Sequence, residues 1–172
     1  MMARSRYPRL RRLWRHLMTD RRDVNRAFPP QEMVRVENAI AEGELRHAGQ
    51  VCFAVEGALP LSRVWQRVSP RERALEVFGL LRVWDTERND GVLVYMLLAD
   101  RNVEIIADRG IDARVGQPAW EAICRTMESA CRAGRYAEGV EQGVRAIADL
   151  LAVHSPRTGE GRNELSDRPI IL

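Results

Sequence analysis

Residues 89–112 read NDGVLVYMLLADRNVEIIADRGID, and this stretch decides the fold. Its centre, residues 92–98, is apolar throughout and too short to cross a membrane, which is typical of a central strand covered on both faces. Residues 100–102 are a reverse-turn signal. Residues 103–107 then alternate as a less central strand would. The stretch therefore predicts a polar turn, a buried strand, a tight turn, a second strand and a glycine-containing acidic loop.

Helical periodicity and capping signals surround these two strands. The clearest helix start is at Ser69, which can cap, followed by Pro70 at the first helical position and by Glu72, which completes a capping box. We predict helices over 30–47, 69–84, 116–133 and 136–153, a strand over 51–56 and a short helical turn over 61–67. This order favours a central sheet with helices on both faces.

The charge of the chain is concentrated at its N-terminal end. Residues 1–24 hold eight arginines and two aspartates, a net charge of +6, whereas the whole chain carries +3 and residues 25–172 therefore carry −3. The high isoelectric point belongs to this segment. A globally basic surface for nucleic acid is not indicated, so nucleic acid is not favoured as a partner.

The N-terminal segment reads as a short basic amphipathic helix over residues 4–19. One helical face collects Tyr7, Leu10, Trp14, Leu17 and Met18. The predicted membrane or partner contacts are Arg9, Arg11, Arg12, Trp14 and Arg15. Two interpretations stay open. The helix lies on an anionic membrane surface with its tryptophan at headgroup level, or it docks on the domain or on a protein partner.

Cysteine usage and the N-terminus favour a cytoplasmic protein. Cys52, Cys124 and Cys131 form no CxxC and no paired metal-ligand spacing, which favours reduced thiols. The N-terminus has no unbroken apolar region of the kind that signal peptides contain. No stretch is long enough for a transmembrane helix. We expect a protein of the cytoplasm that is at most peripheral to the inner face of the membrane.

Acidic residues stand at the ends of the two predicted strands. They are Asp90, preceded by Asn89, and the pair Asp108 and Asp112. If the strands form a simple hairpin, both loops lie at one edge of the sheet. Carboxylate and carbonyl oxygens in loops are the ligands that Ca²⁺ and Mg²⁺ prefer, so we predict a Ca²⁺ or Mg²⁺ site here and no organic cofactor. The alternative is that these are ordinary turn residues, with Arg109 neutralising the acidic loop.

The chain resembles the TPM-domain family over about residues 26–153. The resemblance lies in a strand opened by NDGVL, an ADR turn, a strand that ends in DRGI and the two helices that follow. That family includes thylakoid-lumen phosphatase-like proteins and photosystem II repair proteins. The resemblance implies a three-layer α/β/α sandwich with a small central mixed sheet, and cations at such loops. Relatives more often have a Gly-Tyr-Gly-Leu-Glu-like segment at the position of residues 108–112. On that alignment Asp112 matches the acidic residue of the family, Gly110 matches a glycine, and Asp108 stands where the family has a glycine.

The resemblance also divides the chain and suggests two functions. We predict a basic segment over 1–25, a TPM-like domain over 26–154 and a flexible tail over 155–172. The first function is a non-catalytic binding or scaffold module, dependent on Ca²⁺ or Mg²⁺ and acting at a membrane surface or a membrane-protein complex. The alternative is a metal-dependent phosphatase of phosphomonoesters, with Asp90 and Asp112 holding the metal and Arg109 or Arg101 stabilising charge. A phosphate-binding glycine loop, a Cys-x5-Arg loop and a histidine cluster are all missing from the sequence.

Overall fold

A computed structural model of the chain describes residues 9–157 and 163–172. The N-terminal half contains the helices α1 (Arg9–Met18), α2 (Arg21–Ala27) and α3 (Pro30–Glu44), the strand β1 (Gln50–Glu56), and the helices α4 (Leu61–Trp65) and α5 (Pro70–Leu80). The C-terminal half contains β2 (Gly91–Leu97), β3 (Asn102–Ala107), α6 (Arg109–Val115), α7 (Gln117–Arg132), α8 (Tyr136–His154) and β4 (Ile170–Ile171). A 3₁₀ turn, Leu98–Asp100, joins β2 to β3.

The four strands form one mixed sheet in the order β3-β2-β1-β4. β1 and β2 pair in parallel along their full length, and β3 returns antiparallel to β2. β4 adds to the other edge of β1 in parallel. All seven residues of β2 are buried, because it lies between two strands and under helices on both faces. The central strand and the hairpin predicted from residues 89–112 are therefore present.

Each face of the sheet packs against its own helical layer. On one face, Phe53 and Val94 contact an apolar cluster that α3, α7 and α8 complete. On the other face, Leu93 and Tyr95 contact residues of α4 and α5, and Leu13 of α1 packs at the margin. Each fully buried aliphatic or aromatic side chain stabilises the fold by about 1.5–3 kcal/mol relative to its exposed state. These two clusters confirm the three-layer α/β/α sandwich.

The start of α5 has the predicted capping box. The Ser69 hydroxyl accepts a hydrogen bond from the N–H of Glu72 at 3.1 Å, and the Glu72 carboxylate accepts one from the N–H of Ser69 at 2.7 Å. Such a cap contributes about 1 kcal/mol. The helix ends at Leu80, earlier than the predicted Trp84, because the chain turns through Arg82, whose φ is +55°.

The acidic loop predicted over residues 108–112 is instead the start of α6. Asp108 is its N-cap, and its Oδ1 accepts a hydrogen bond from the N–H of Arg109 at 2.6 Å. Gly110 lies in the first turn, where a Cβ would stand 2.6 Å from the carbonyl oxygen of Asn89. Glycine is thus required here for close approach to the neighbouring loop rather than for a bend.

Both predicted ends of the domain differ in the structure. The boundary drawn at residue 25 falls inside α2, and Val24 and Phe28 are buried in the core under the sheet. Within the predicted flexible tail, Ile170–Ile171 forms β4, and the N–H of Leu172 donates to the carbonyl of Val55 at 3.0 Å. The open edge of β1 accounts for this, since it offers unpaired backbone groups to an apolar segment. Residues 1–8 and 158–162 of these two predicted segments lie outside the described residues.

Candidate functional site

The two acidic segments meet at one edge of the sheet. The N–H of Asp108 donates to the carbonyl of Gly91 at 2.8 Å, and the N–H of Ile111 donates to the carbonyl of Asn89 at 3.2 Å. The antiparallel pairing of β2 with β3 causes this, because the start of one strand lies beside the end of the other. The turn at residues 89–90 and the start of α6 therefore share one surface.

Asp90 lies beneath this surface and is buried. Its Oδ2 accepts a hydrogen bond from the Ser155 hydroxyl at 2.8 Å, and its backbone N–H donates to Oγ1 of Thr86 at 3.1 Å. A buried carboxylate needs a donor such as the Ser155 hydroxyl, since desolvation would otherwise destabilise it strongly. The sequence interpretation missed Ser155 and Thr86, because hydroxyl residues near element ends carry no spacing signal that links them to residue 90.

Asp108 is also buried, and its two oxygens differ. Oδ1 accepts from the N–H of Arg109, whereas Oδ2 has no hydrogen-bond partner among residues 9–157 and 163–172. Buried polar atoms are nearly always paired with protein groups, with water or with an ion. Oδ2 of Asp108 is therefore the atom of this surface that requires an explanation.

The other two predicted ligands are placed differently. Asp112 faces α7, where its Oδ1 accepts from the indole N–H of Trp120 at 3.0 Å and from the side-chain amide of Gln117 at 3.4 Å. Asn89 is exposed with φ of +53°, a conformation that asparagine tolerates. Over residues 9–157 and 163–172, no group of three or more His, Cys, Asp or Glu side chains is arranged to hold a metal ion.

A second candidate surface is formed by α1, which docks on the domain through its charged side. Nε of the buried Arg12 donates to Oδ2 of Asp100 at 3.0 Å, and its Nη2 donates to the carbonyl of Val68 at 2.8 Å. Nη2 of Arg15 donates to Oδ1 of Asp100 at 2.8 Å. Two arginines thus converge on one carboxylate at the end of β2.

His16 completes this anchor. Its Nδ1 accepts a hydrogen bond from the N–H of Leu59 at 3.0 Å, so Nε2 carries the proton and faces Oδ1 of Asp100 at 3.2 Å. Burial would raise the pKa of Asp100, but the close approach of His16 and the hydrogen bonds and charge of Arg12 outweigh burial and lower that pKa to about 2. The carboxylate is therefore ionised at every ordinary pH.

Because the charged side of α1 faces inward, its apolar side faces outward. The relative exposures are Leu10 79%, Trp14 62%, Leu17 58% and Met18 60%, with Trp65 of the adjacent α4 at 66%. These five residues are called the outer face of α1 below. The guanidinium of Arg9 lies 6.0 Å from the ring centroid of Trp65, a cation–π distance. The outer face is an apolar patch bordered by arginine.

The five predicted contact residues divide into two groups. Arg9, Arg11 and Trp14 are exposed. Arg12 is not a surface contact, because its side chain is buried against Asp100, and Arg15 pairs with the same carboxylate.

Comparison with known proteins identifies the family. A profile of the TPM domain matches residues 22–150. The chain belongs to the TPM-domain family. No curated protein matches its sequence. Among solved structures, the NMR structure of the BA42 protein from the psychrophilic bacterium Bizionia argentinensis is similar, with a TM-score of 0.73 and 22% sequence identity over 83% of this chain and 93% of that chain. At that identity the likeness shows a shared fold.

The outer face of α1 lies largely outside the part of this TPM domain that matches the family profile. The match begins inside α2 and ends inside α8. The helix α1, the anchoring residues Arg12 and His16, and β4 are therefore additions to the matched region. In the part of this TPM domain that the structure describes, no helix is long and apolar enough to span a membrane.

Proposed function

We propose that this TPM domain is a non-catalytic binding module that attaches to an anionic membrane surface through the outer face of α1. The observation that supports the proposal is the inverted docking of the helix. An amphipathic helix on a globular domain normally turns its apolar stripe to the core. Here Asp100 holds the charged side, and Leu10, Trp14 and Leu17 are directed into solvent.

Charge favours an anionic lipid surface as the occupant. The helix α1 holds four arginines and no acidic residue. Arg9 and Arg11 are exposed beside the outer face, and residues 1–24 carry a net charge of +6. Near an anionic leaflet each exposed arginine contributes about 1 kcal/mol, and tryptophan fits the headgroup region. A membrane-protein complex is the competing occupant, and the experiment below separates the two.

We expect the protein to sediment with vesicles of phosphatidylcholine and phosphatidylserine, and not with phosphatidylcholine alone. The double variant Trp14→Ser, Leu17→Ser should abolish binding, since it removes two apolar groups from the outer face. Arg9→Gln with Arg11→Gln should weaken binding roughly thirtyfold, because two contributions of about 1 kcal/mol are lost. Raising the salt concentration should also weaken it.

The matched control is Leu80→Ser at the end of α5, which removes a leucine that is 71% exposed but lies outside the outer face. This variant should bind like the unmodified protein. Equal loss in the control, or no binding to either vesicle, would refute the membrane proposal. In the second case a protein partner becomes the occupant to seek.

We propose as a second property that this module binds Ca²⁺ or Mg²⁺ at the edge of the sheet where the turn at residues 89–90 lies beside Asp108. The unpartnered Oδ2 of Asp108 supports this, since a cation would satisfy it. The carboxylate of Asp90 and backbone carbonyls of the turn at 89–90 are the other candidate oxygens. The side chain of Asp112 holds the Trp120 indole instead.

A titration of the metal-stripped protein with Ca²⁺ and with Mg²⁺ tests the site. A cation that binds only the folded state adds about 2.7 kcal/mol at a hundredfold excess over its dissociation constant. For a domain of this size that corresponds to a rise in Tm of about 5–10 °C. Asp108→Asn should remove the rise, whereas Asp112→Asn, which keeps an acceptor oxygen for Trp120, should retain it. No rise up to millimolar metal would refute the site.

The same site bears on the phosphatase alternative. Arg109 is exposed beside Asp108 and could stabilise a phosphoryl group, whereas Arg101 follows the far end of β2, about 23 Å away at the usual strand rise. Metal-dependent turnover of a generic phosphomonoester that both Asp108→Asn and Arg109→Gln abolish would support catalysis. Turnover that persists in both variants would show that this site does not catalyse the reaction.

A further inference from the structure

Two exposed arginines stand beside the anchor of α1, on the body of the domain and outside the helix. Nη2 of Arg12 lies 2.8 Å from the carbonyl oxygen of Val68 and 2.9 Å from Oδ2 of Asp100. Arg67 precedes Val68 in the chain, and Arg101 follows Asp100. One guanidinium nitrogen under α1 therefore draws together the two segments that carry Arg67 and Arg101, and both arginines are exposed.

The backbone is left-handed at both positions, with φ of +64° at Arg67 and +50° at Arg101. The N–H of Arg67 donates to the carbonyl of Val64 at 3.0 Å, and the N–H of Val68 donates to the carbonyl of Arg63 at 3.1 Å. This pair of bonds ends a helix at a residue that is usually glycine. Arg101 ends the 3₁₀ turn between β2 and β3. Glycine adopts the left-handed conformation without strain, so the backbone does not account for an arginine at either position.

The charges of these two arginines are not used within the domain. Arg63, in the same short helix α4 that Arg67 ends, pairs with Glu76. In the part of the chain that the structure describes, by contrast, neither Arg67 nor Arg101 forms an ion pair. Exposed arginines without a counter-charge are available to an anionic partner.

The position of the two arginines places this charge at the border of the outer face of α1. Trp65, which belongs to that face, lies two residues before Arg67. On the helix itself Arg9 lies against Trp65, and Arg11 is exposed. An apolar patch with arginines on the helix and on the body next to it suits the interfacial region of an anionic leaflet, where apolar groups enter and cations stay at the level of the phosphates.

We infer that Arg67 and Arg101 contact the phosphate groups of the same anionic leaflet as the outer face of α1, and that they orient the domain on it. The inference rests on the proposed membrane function and extends the contact from the helix to the body of the domain. In this orientation the C-terminal ends of β1 and β2 face the leaflet. The candidate cation edge lies at the opposite end of β2 and faces away from it.

A double variant, Arg67→Gly with Arg101→Gly, tests the contact on vesicles of phosphatidylcholine and phosphatidylserine. Binding should weaken roughly thirtyfold, because two cations near the leaflet are lost. The Tm should not fall, since glycine fits the left-handed backbone, so unfolding cannot explain the loss. The variant Arg67→Lys with Arg101→Lys keeps both charges and should bind like the unmodified protein.

The matched control is Arg82→Gly with Arg109→Gln. Arg82 is also exposed and left-handed, with φ of +55°, but it lies near the start of β2, as does the exposed Arg109. This control loses the same charge at the far end of the domain and should bind like the unmodified protein. Hydrogen exchange on the vesicles should show new protection over residues 66–69 and 98–102 and none over residues 84–90.

The outcomes separate this inference from the membrane proposal. Undiminished binding of the double glycine variant would overturn the inference and leave the membrane proposal in place. Weakened binding of the lysine variant would also overturn it, because charge would then not be what these positions supply. Equal loss in the far-end control, or equal protection over residues 84–90, would overturn the orientation. No binding of the unmodified protein to either kind of vesicle would overturn both.

Discussion

An Asp100→Asn variant should lose about 3–5 kcal/mol of unfolding free energy and release α1 from the domain. The change leaves the Arg12 guanidinium buried without a counter-charge, and breaking a buried ion pair in this way has that cost. Arg15 and His16 lose the same partner. The contacts that remain, among them Leu13 at the margin of the core and the hydrogen bonds of Arg12 to Val68 and of Leu59 to His16, lack the ion pairs that hold the charged side of α1 inward.

Urea unfolding measures the loss of free energy, and hydrogen exchange of α1 measures its release. Asp149→Asn is the matched control, because Asp149 pairs with Arg46 at 2.8 Å where both side chains are at least half exposed. That change should alter stability by less than about 1 kcal/mol. An α1 that stays protected in the Asp100→Asn variant would contradict the anchor.

Acid should narrow the difference in unfolding free energy between the two proteins. The pKa of Asp100 lies at about 2, below the ordinary value of 3.8. A lowered pKa contributes stability that is present above about pH 4 and is lost as the pH falls through about 2. At about 1.4 kcal/mol per pH unit, the ionised anchor accounts for roughly 2 kcal/mol. The urea difference between the unmodified protein and Asp100→Asn should shrink accordingly below about pH 3.

The parts of the fold that the sequence predicted correctly are those with local signals. The strand over residues 92–98 was evident because an apolar run that short fits a buried strand. The start of α5 was evident because Ser69, Pro70 and Glu72 are the three residues that satisfy its first turn. The three-layer arrangement followed from element order. None of these inferences depends on which distant residue packs against which.

The start of α6 shows where local signals mislead. Aspartate and glycine are turn residues, but Asp108 is a helix cap and Gly110 is inside the helix. Residue 110 is glycine because the carbonyl oxygen of Asn89 lies too close for a side chain. No residue between 108 and 112 indicates this contact in the sequence. A helix cap and a turn use the same residue types. A helix of seven residues is also too short for its hydrophobic periodicity to distinguish it from a turn.

The candidate surfaces depended on contacts between distant parts of the chain. Periodicity defined the apolar and charged sides of α1, yet the side that docks was decided by Asp100, 88 residues beyond Arg12. A free amphipathic segment would bury its tryptophan, and only a buried counter-charge for the arginines reverses that choice. The pairing of Ala54 with Ile170 in β4 is equally distant. Both features therefore required the structure.

Among substitutions that add one methyl group near the candidate cation site, Gly91→Ala should destabilise the protein most. A Cβ at residue 91 would stand 2.0 Å from the carbonyl oxygen of Val83, a distance at which the backbone must move. Val83 is itself fully buried in the turn after α5, so neither side can yield easily. Overpacking of this kind costs about 1–3 kcal/mol and sometimes more, and the involvement of rigid backbone leads us to expect about 3 kcal/mol or above.

Thermal unfolding checks this expectation, with a fall in Tm of about 10 °C. Gly79→Ala is the matched control, because a methyl group added to Gly79 in α5 would meet no neighbouring group within 4 Å, and alanine there should be neutral or stabilise by up to about 1 kcal/mol. Since Asp90 precedes residue 91 directly, any shift of the strand start also separates Asp90 from Ser155 and the carbonyl of Gly91 from the N–H of Asp108. Gly91→Ala should therefore lose the cation-induced rise in Tm as well, whereas Gly79→Ala keeps it. A Gly91→Ala protein as stable as Gly79→Ala would show that β2 and the turn after α5 are not packed as closely as this distance requires.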